Sequence, residues 1–136
     1  MPVVELAGVT KAYENKVAVS NLSLSIEAGQ MFGLLGPNGA GKTSSIRMMM
    51  GITVPDSGQV HLFDKPFERK SLERVGYLPE ERGLYKKMKV LDQLVFFGQL
   101  HGIAAEEARR RAVDWAGRME IADSLAKKTE ELSKGM

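Results

Sequence analysis

The most informative segment of this sequence is Gly36-Pro37-Asn38-Gly39-Ala40-Gly41-Lys42-Thr43, which matches the pattern G-x-x-x-x-G-K-[ST] at every fixed position. Glycine lets a loop close around an anion with its backbone N–H groups pointing inward. In such a loop the lysine neutralises the β- and γ-phosphates of a nucleotide, and the hydroxyl that follows reaches Mg²⁺. The segment therefore predicts a phosphate-binding loop, or P-loop, for a nucleoside triphosphate.

The residues on either side of the loop support this interpretation. The short apolar run 31–35 predicts a buried strand, and residues 44–50 predict a helix that ends at Gly51. A strand, a glycine-rich turn and a helix form the context that a P-loop requires, and unpaired amides at the helix N-terminus favour a phosphate. A dinucleotide-binding turn needs the spacing G-x-G-x-x-G, which these glycines do not have, and it would leave Lys42 without a role.

The composition limits the classes of partner. The formal net charge is only +2, so nothing in the charge balance favours nucleic acid as a partner. The densest basic run, 109–111, follows Glu106 and Glu107 at helical spacing, which predicts an ion-paired helix face in solvent. The chain has no cysteine and no apolar run near the ~20 residues that a membrane span needs. Its first residues resemble a strand and not a signal peptide, so we expect a soluble chain of one domain's size.

Apolar patterning predicts strands in the first part of the chain. Alternation predicts half-buried strands over residues 3–9 and 22–26. A further strand over residues 58–63 follows a turn at 55–57. Residues 74–78 predict a short buried strand, because the run is apolar and a proline follows it.

The last part of the chain predicts two helices. A largely buried helix is expected from Val90 to Leu100, closed by Gly102. The next helix carries an apolar stripe at i, i+4, i+7, i+8 and i+11, which predicts a core-facing side formed by Ala108, Ala112, Trp115, Ala116 and Met119.

Three further segments resemble the ATP-binding cassette (ABC) ATPases. Tyr13 stands where these proteins place an aromatic ring that stacks on adenine. Residues 75–79, Val-Gly-Tyr-Leu-Pro, are similar to the segment that leads into the family's Q-loop. Residues 132–136, Leu-Ser-Lys-Gly-Met, are similar to its LSGGQ signature. The resemblance covers essentially all of the chain, and the spacing from Lys42 to Ser133 is that of transporter-type cassettes.

The resemblance implies an α/β fold. It implies a P-loop NTPase with an incomplete RecA-like core, an N-terminal antiparallel β region and a C-terminal helical subdomain. Residues 1–81 would hold the β region and the P-loop core, and residues 82–136 would hold the helical subdomain with the signature.

The resemblance also implies which residues meet the cofactors ATP and Mg²⁺. Ser133 and the amide of Gly135 would contact the γ-phosphate of an ATP bound to the P-loop of a second copy, which gives a head-to-tail dimer. Thr43 and Glu80 would approach Mg²⁺. The expected nucleotide-binding residues are Tyr13, Gly36, Pro37, Asn38, Gly39, Ala40, Gly41, Lys42, Thr43, Ser44, Ser133 and Gly135.

The chain departs from the family pattern at two of these motifs. Glu80 stands where the family has the Q-loop glutamine, and Glu81, one position on, is the alternative for that role. The signature continues as Lys134-Gly135-Met136, where the family usually has Gly-Gly-Gln.

The resemblance implies no catalytic residue within this chain. The family's strand that ends in Asp-Glu, and its histidine-bearing loop, both follow the signature. The apolar run that ends at Asp64 lies before the Q-loop segment and predicts a turn aspartate instead, while His61 and His101 stand alone. Because phosphoryl transfer to water needs a group that orients the water, we expect this chain to bind ATP and to hydrolyse it at no more than background.

The function implied is that of an ATP-binding subunit that powers transport across a membrane. Its expected partners are a second ATPase copy and transmembrane permease subunits on a separate chain, with no nucleic acid. Its expected location is cytoplasmic, at the inner face of the membrane. Residues 77–85 look closest to ABC-2 exporters, including the sodium-extruding kind. A non-transport ABC protein of translation or assembly, and a nucleotide-binding module without catalysis, remain alternatives.

Overall fold

A computed structural model describes residues 1–79, 83–133 and 135 of the chain. The chain forms two compact units, Met1–Leu78 and Pro79–Met136. The predicted P-loop lies in the first unit, and both predicted helices of the last part of the chain lie in the second.

The first unit contains a four-stranded antiparallel sheet, in the order β2-β1-β3-β4. The strands are β1 (Pro2–Tyr13), β2 (Lys16–Glu27), β3 (Ser57–Leu62) and β4 (Lys65–Pro66). The predicted strands at residues 3–9 and 22–26 lie within β1 and β2, and the strand predicted at residues 58–63 matches β3 except for Phe63, so the predicted antiparallel β region is confirmed. A two-residue turn joins β1 to β2 and places Tyr13 opposite Lys16.

One face of this sheet packs against helix α1, Lys42–Met49. Met48 and Met49 of the helix join a buried cluster with Leu6, Val9 and Val60 of the strands. Full burial of a side chain of this size contributes about 1.5–3 kcal/mol, so the packing fixes the helix on the sheet. The helix predicted after the P-loop is thereby confirmed.

A turn before β3 holds the far end of β1 in place. The Asp56 carboxylate accepts hydrogen bonds from the Ala12 amide and the Lys11 ammonium, both at 2.7 Å. The Asp56 amide donates to the carbonyl of Thr10 at 2.8 Å. The Ala12 amide, followed by Lys11, holds the pKa of the Asp56 carboxyl below its usual value. These contacts fix the strand end that carries Tyr13.

The prediction of a buried strand at residues 31–35 is wrong for this structure. The segment is irregular, and the side chains of Met31 and Leu35 are 102% and 91% exposed. An apolar run forms a buried strand only where neighbouring strands satisfy its backbone groups. None of the strands among residues 1–79, 83–133 and 135 pairs with it.

The predicted strand at residues 74–78 is wrong for the same reason. A 3-10 helix covers Arg69–Arg74, and the residues after it are irregular, with Leu78 94% exposed. The Arg74 guanidinium lies 3.8 Å from the centre of the Phe63 ring, which holds the end of this helix against the sheet.

The second unit contains α2 (Val90–Leu100) and α3 (Ala105–Arg118), with short 3-10 helices at Ala122–Ser124 and Thr129–Glu131. Small residues let the two long helices approach closely. A Cβ on Gly98 of α2 would stand only 2.8 Å from the Cβ of Ala108 on α3. No helix in the described part of the chain is long and apolar enough to cross a membrane.

Both predicted helices form where the sequence places them, but fewer of their side chains are buried than predicted. In α2 only Val90 and Gln93 are buried. On α3 the buried stripe is Ala108, Ala112 and Ala116, while Trp115 and Met119 are exposed. The Arg118 guanidinium covers the Trp115 ring at 4.3 Å, so this side chain packs against a charge in solvent and not in the core.

The predicted ion-paired face on α3 is confirmed. Glu107 accepts hydrogen bonds from Arg110, one turn on at i+3, and from Arg111 at i+4. Arg111 and then Arg110 hold the pKa of the Glu107 carboxyl below its usual value. Two of the three arginines in the basic run are therefore ion-paired within their own helix.

Candidate nucleotide-binding site

The P-loop lies between residue 36 and the start of α1. Gly39 and Gly41 have φ values of 85° and 86°, in the left-handed region that favours glycine. The Ala40 amide donates to the Pro37 carbonyl at 3.2 Å, which closes the turn. The loop therefore has the curved backbone that a phosphate cradle needs.

Lys42 places its positive charge at this loop. Its Nζ donates hydrogen bonds to the carbonyls of Gly36 and Pro37, at 2.6 and 2.7 Å. The ammonium therefore lies beside the loop backbone, and its role in neutralising a bound phosphate stays a prediction.

Gly41 anchors the loop to the sheet. A Cβ at this position would overlap the Ala18 carbonyl oxygen and stand 3.0 Å from Cγ2 of Val19, both on β2. Gly41 is also the residue before the first turn of α1. Only glycine therefore lets the P-loop, the helix start and β2 meet at this point.

Tyr13, at the end of β1, lies within hydrogen-bonding reach of Thr53 after helix α1 and of Ser44 in its first turn. Hydrogen bonds with the side chains of Thr53 and then Ser44 hold the pKa of the Tyr13 phenol below its usual value. The residue is 41% exposed, so its ring keeps a surface on which a base can stack. The structure thus brings together two of the predicted site residues, Tyr13 and Ser44.

Thr43 fits the magnesium role by its chemistry and exposure. It is exposed in the first turn of α1, directly after Lys42. Its hydroxyl is a hard oxygen ligand, and Mg²⁺ is usually held by few protein ligands together with phosphate oxygens and water. In the described part of the chain, no three His, Cys, Asp or Glu side chains group closely enough to hold a metal ion.

The remaining predicted site residues do not lie in the first unit. Ser133 and Gly135 belong to the second unit, where both are exposed, and their contact with a second copy stays a prediction. Glu80 and its alternative Glu81 lie outside the described residues, as do Lys134 and Met136 of the signature.

The structure confirms that Asp64 is a turn residue. Phe63 and Asp64 have φ values of 53° and 65°, which reverse the chain between β3 and β4. His61 lies within β3, opposite Glu5 on β1.

Sequence patterns missed two residues of this site, Thr53 and Lys16. Thr53 reaches Tyr13 because the turn after α1 passes the end of β1. The Nζ of Lys16 lies 4.0 Å from the position that a Cβ on Gly39 would occupy. No motif marks either residue, because Lys16 reaches the loop through the pairing of β1 with β2, and Thr53 reaches Tyr13 through the path of the chain after α1.

The family model described as ABC transporter matches residues 19–136. The chain is 47% identical over 127 residues to the uncharacterized ABC transporter ATP-binding protein YhaQ of Bacillus subtilis, covering 93% of the chain and 43% of that relative. It is 37% identical over 136 residues to the Nod factor export ATP-binding protein I of Burkholderia thailandensis, covering 98% of the chain and 45% of that protein.

Solved structures show the same fold at lower identity. An ATP binding subunit of an ABC transporter matches with a TM-score of 0.81 at 22% identity, over 98% of this chain and 57% of that one. CbiO1 from Clostridium perfringens, described as part of the ABC transporter complex cbiONQ, matches with a TM-score of 0.80 at 23% identity, over the same shares of the two chains.

The chain spans less than half the length of the two relatives named above. The family match nevertheless covers the P-loop, both long helices and the signature segment. The relatives match across nearly the whole chain at well above 30% identity. The predicted α/β P-loop fold is confirmed, and the chain belongs to the ABC transporter family of ATP-binding proteins.

Proposed function

We propose that this chain binds ATP with Mg²⁺ as the nucleotide-binding part of a subunit that powers substrate transport across a membrane. The observation that carries the proposal is the arrangement around α1. Lys42 donates hydrogen bonds to the loop carbonyls, and Tyr13 forms a hydrogen bond with Ser44 in the first turn of the helix. This arrangement supports a nucleotide with its phosphates in the loop and its base on the Tyr13 ring.

In the intact protein, binding and hydrolysis of ATP would drive the transport cycle. Ser133 and the Gly135 amide would contact the γ-phosphate held by a second copy, so that ATP joins two cassettes head to tail. Both residues are exposed and have the donor groups that an anion needs. Membership in the ABC transporter family supports permease subunits on a separate chain as the other partners, and a peripheral location at the inner face of the membrane.

An exporter is the favoured class of transporter. One relative is named for Nod factor export, and residues 77–85 resemble ABC-2 exporters, including the sodium-extruding kind. A non-transport ABC protein would share the same motifs. A gene for a membrane subunit beside the gene for this chain would favour the transporter, and purification with ribosomes or an assembly complex would favour the alternative.

Titration of the chain with a ribose-labelled fluorescent ATP analogue, with and without Mg²⁺, tests the proposal directly. Saturable binding that unlabelled ATP displaces would support the site. A chain that shows no displaceable binding, although circular dichroism shows it folded, would refute it.

Substitution of Tyr13 tests base stacking. Removal of a stacked aromatic ring costs roughly 1–3 kcal/mol, so Tyr13→Ala is expected to weaken ATP binding by about 5- to 150-fold. Tyr13→Phe and Tyr13→Trp keep a ring and are expected to bind ATP nearly as wild type does. Inorganic tripolyphosphate has no base, so its affinity is expected to be the same in all four proteins. A parallel loss of tripolyphosphate binding in Tyr13→Ala would show that the residue supports the fold and not the base.

We expect the chain by itself to hydrolyse ATP at no more than background. Phosphoryl transfer to water needs a group that orients the water, and the described site residues supply a phosphate cradle and a magnesium ligand. Phosphate release, measured beside a Lys42→Ala control, checks this expectation. Steady turnover in the wild type that the Lys42→Ala substitution abolishes would contradict it and would indicate a catalytic group among these residues.

A further inference from the structure

The hairpin between β1 and β2 approaches both the P-loop and the first turn of helix α1 that follows it. Tyr13 and Lys16 are directly opposite across a two-residue turn, so their side chains leave the same face of the hairpin. The Tyr13 hydroxyl reaches Ser44 in the first turn of α1. The Lys16 Nζ lies 4.0 Å from the position of a Cβ on Gly39, in the middle of the loop.

The charge of Lys16 has no carboxylate partner in the part of the chain that the structure describes. The ion pairs found there join the N-terminus to Glu27, Lys11 to Asp56, and Glu107 to Arg110 and Arg111. An exposed lysine on a short hairpin is ordinarily solvated, but the Nζ of this one lies beside the predicted phosphate-binding loop. A long flexible side chain with a compact charge can move the small distance to a bound phosphate.

The two lysines approach the loop at different residues. Lys42 contacts the carbonyls of Gly36 and Pro37, at the loop's first turn, whereas Lys16 approaches Gly39 from the sheet side. We propose that Lys16 is a second phosphate-binding residue of this site, which contacts the polyphosphate of the bound nucleotide and makes affinity rise with the number of phosphates. This inference rests on the proposed ATP site and extends it to a residue outside the P-loop motif.

Two substitutions of Lys16 test whether its positive charge is what binds the phosphates. The substitution Lys16→Met keeps the length of the side chain and removes its charge. We expect it to weaken binding of ATP and of inorganic tripolyphosphate by about 5-fold at low ionic strength. The loss of affinity is expected to fall to about 2-fold at higher salt, because salt shortens the Debye length and screens the charge. We expect no change for adenosine, which carries no phosphate. Lys16→Arg keeps the charge and is expected to bind all three ligands within about 2-fold of wild type.

Lys65 provides a matched control. It is also an exposed lysine on a strand of the same sheet, but β4 is at the edge opposite β2. Lys65→Met removes the same charge from the unit and is expected to leave every affinity unchanged. Titrations of wild type, Lys16→Met, Lys16→Arg and Lys65→Met against ATP, tripolyphosphate and adenosine, each at two salt concentrations, form the experiment. Circular dichroism of each variant checks that its fold is retained.

The possible outcomes distinguish a failure of the proposed Lys16 contact from a failure of the proposed ATP site. A loss in Lys16→Met that is confined to the phosphorylated ligands, and is reduced by salt, supports a phosphate contact. Equal affinities in Lys16→Met and Lys65→Met, with wild-type ATP binding intact and sensitive to Lys42→Ala, would overturn the role of Lys16 and leave the ATP site standing. A wild-type chain that binds neither ATP nor tripolyphosphate would overturn the proposed function itself.

Discussion

Replacement of Lys42 by alanine is expected to weaken ATP binding by at least ~10-fold, which corresponds to about 1.4 kcal/mol. The Lys42 ammonium is held at the loop by two carbonyls, those of Gly36 and Pro37, so its position is fixed before a ligand arrives. A charge held in place loses less entropy on binding than a free side chain does. Titration with the fluorescent ATP analogue measures the effect.

Two comparisons make the Lys42 result specific. Lys65→Ala removes a lysine from the far edge of the sheet and is expected to leave affinity unchanged. Tripolyphosphate binding is expected to fall together with ATP binding in Lys42→Ala, because the lysine acts on phosphates and not on the base. Equal ATP affinity in Lys42→Ala and wild type would mean that this loop does not form the phosphate cradle.

Replacement of Gly41 by alanine is expected to disrupt both the fold of the first unit and the site. Left-handed φ costs an alanine roughly 1–2 kcal/mol, and the overlap of its Cβ with the Ala18 carbonyl adds about 1–3 kcal/mol of overpacking. The P-loop must then move away from β2, so ATP binding is expected to fall by at least ~10-fold as well. Urea unfolding followed by circular dichroism gives the loss of stability, and the fluorescent titration gives the loss of affinity.

Gly29 supplies the control for Gly41. It has a φ of 77°, close to the 86° of Gly41, but a Cβ there would meet nothing within 4 Å. Gly29→Ala is therefore expected to cost only the roughly 1–2 kcal/mol of left-handed backbone and to leave ATP affinity unchanged. The same loss of stability in the two variants would show that Gly41 matters for its backbone angle alone, and not for the approach of the loop to β2.

The site was only partly predictable from sequence. The loop from Gly36 to Thr43 was evident because its chemistry is local, with each glycine and the lysine in fixed sequence positions. Tyr13 was found through a family resemblance, and the structure adds the reason for its position, since the Asp56 turn holds the end of β1 beside α1. Lys16 carries no motif, because its nearness to Gly39 follows from strand register and not from sequence spacing.

By itself, the sequence determined the features that depend on neighbours along the chain. These are the P-loop, the helix that follows it, the alternating strands β1, β2 and β3, and the charge pairing within α3, whose interactions span a few residues each. Only the tertiary structure decided which apolar runs are buried. Residues 31–35 and 74–78 have strand-like composition, but a strand needs hydrogen-bonding neighbours, and no described strand lies beside them. The spacing of Trp115 places it in the apolar stripe of α3. However, α2 approaches α3 closely at Gly98, and the residues of α3 that are buried are alanines. Periodicity identifies the side of a helix or strand that can be buried. The element that packs against that side determines how much of it is buried.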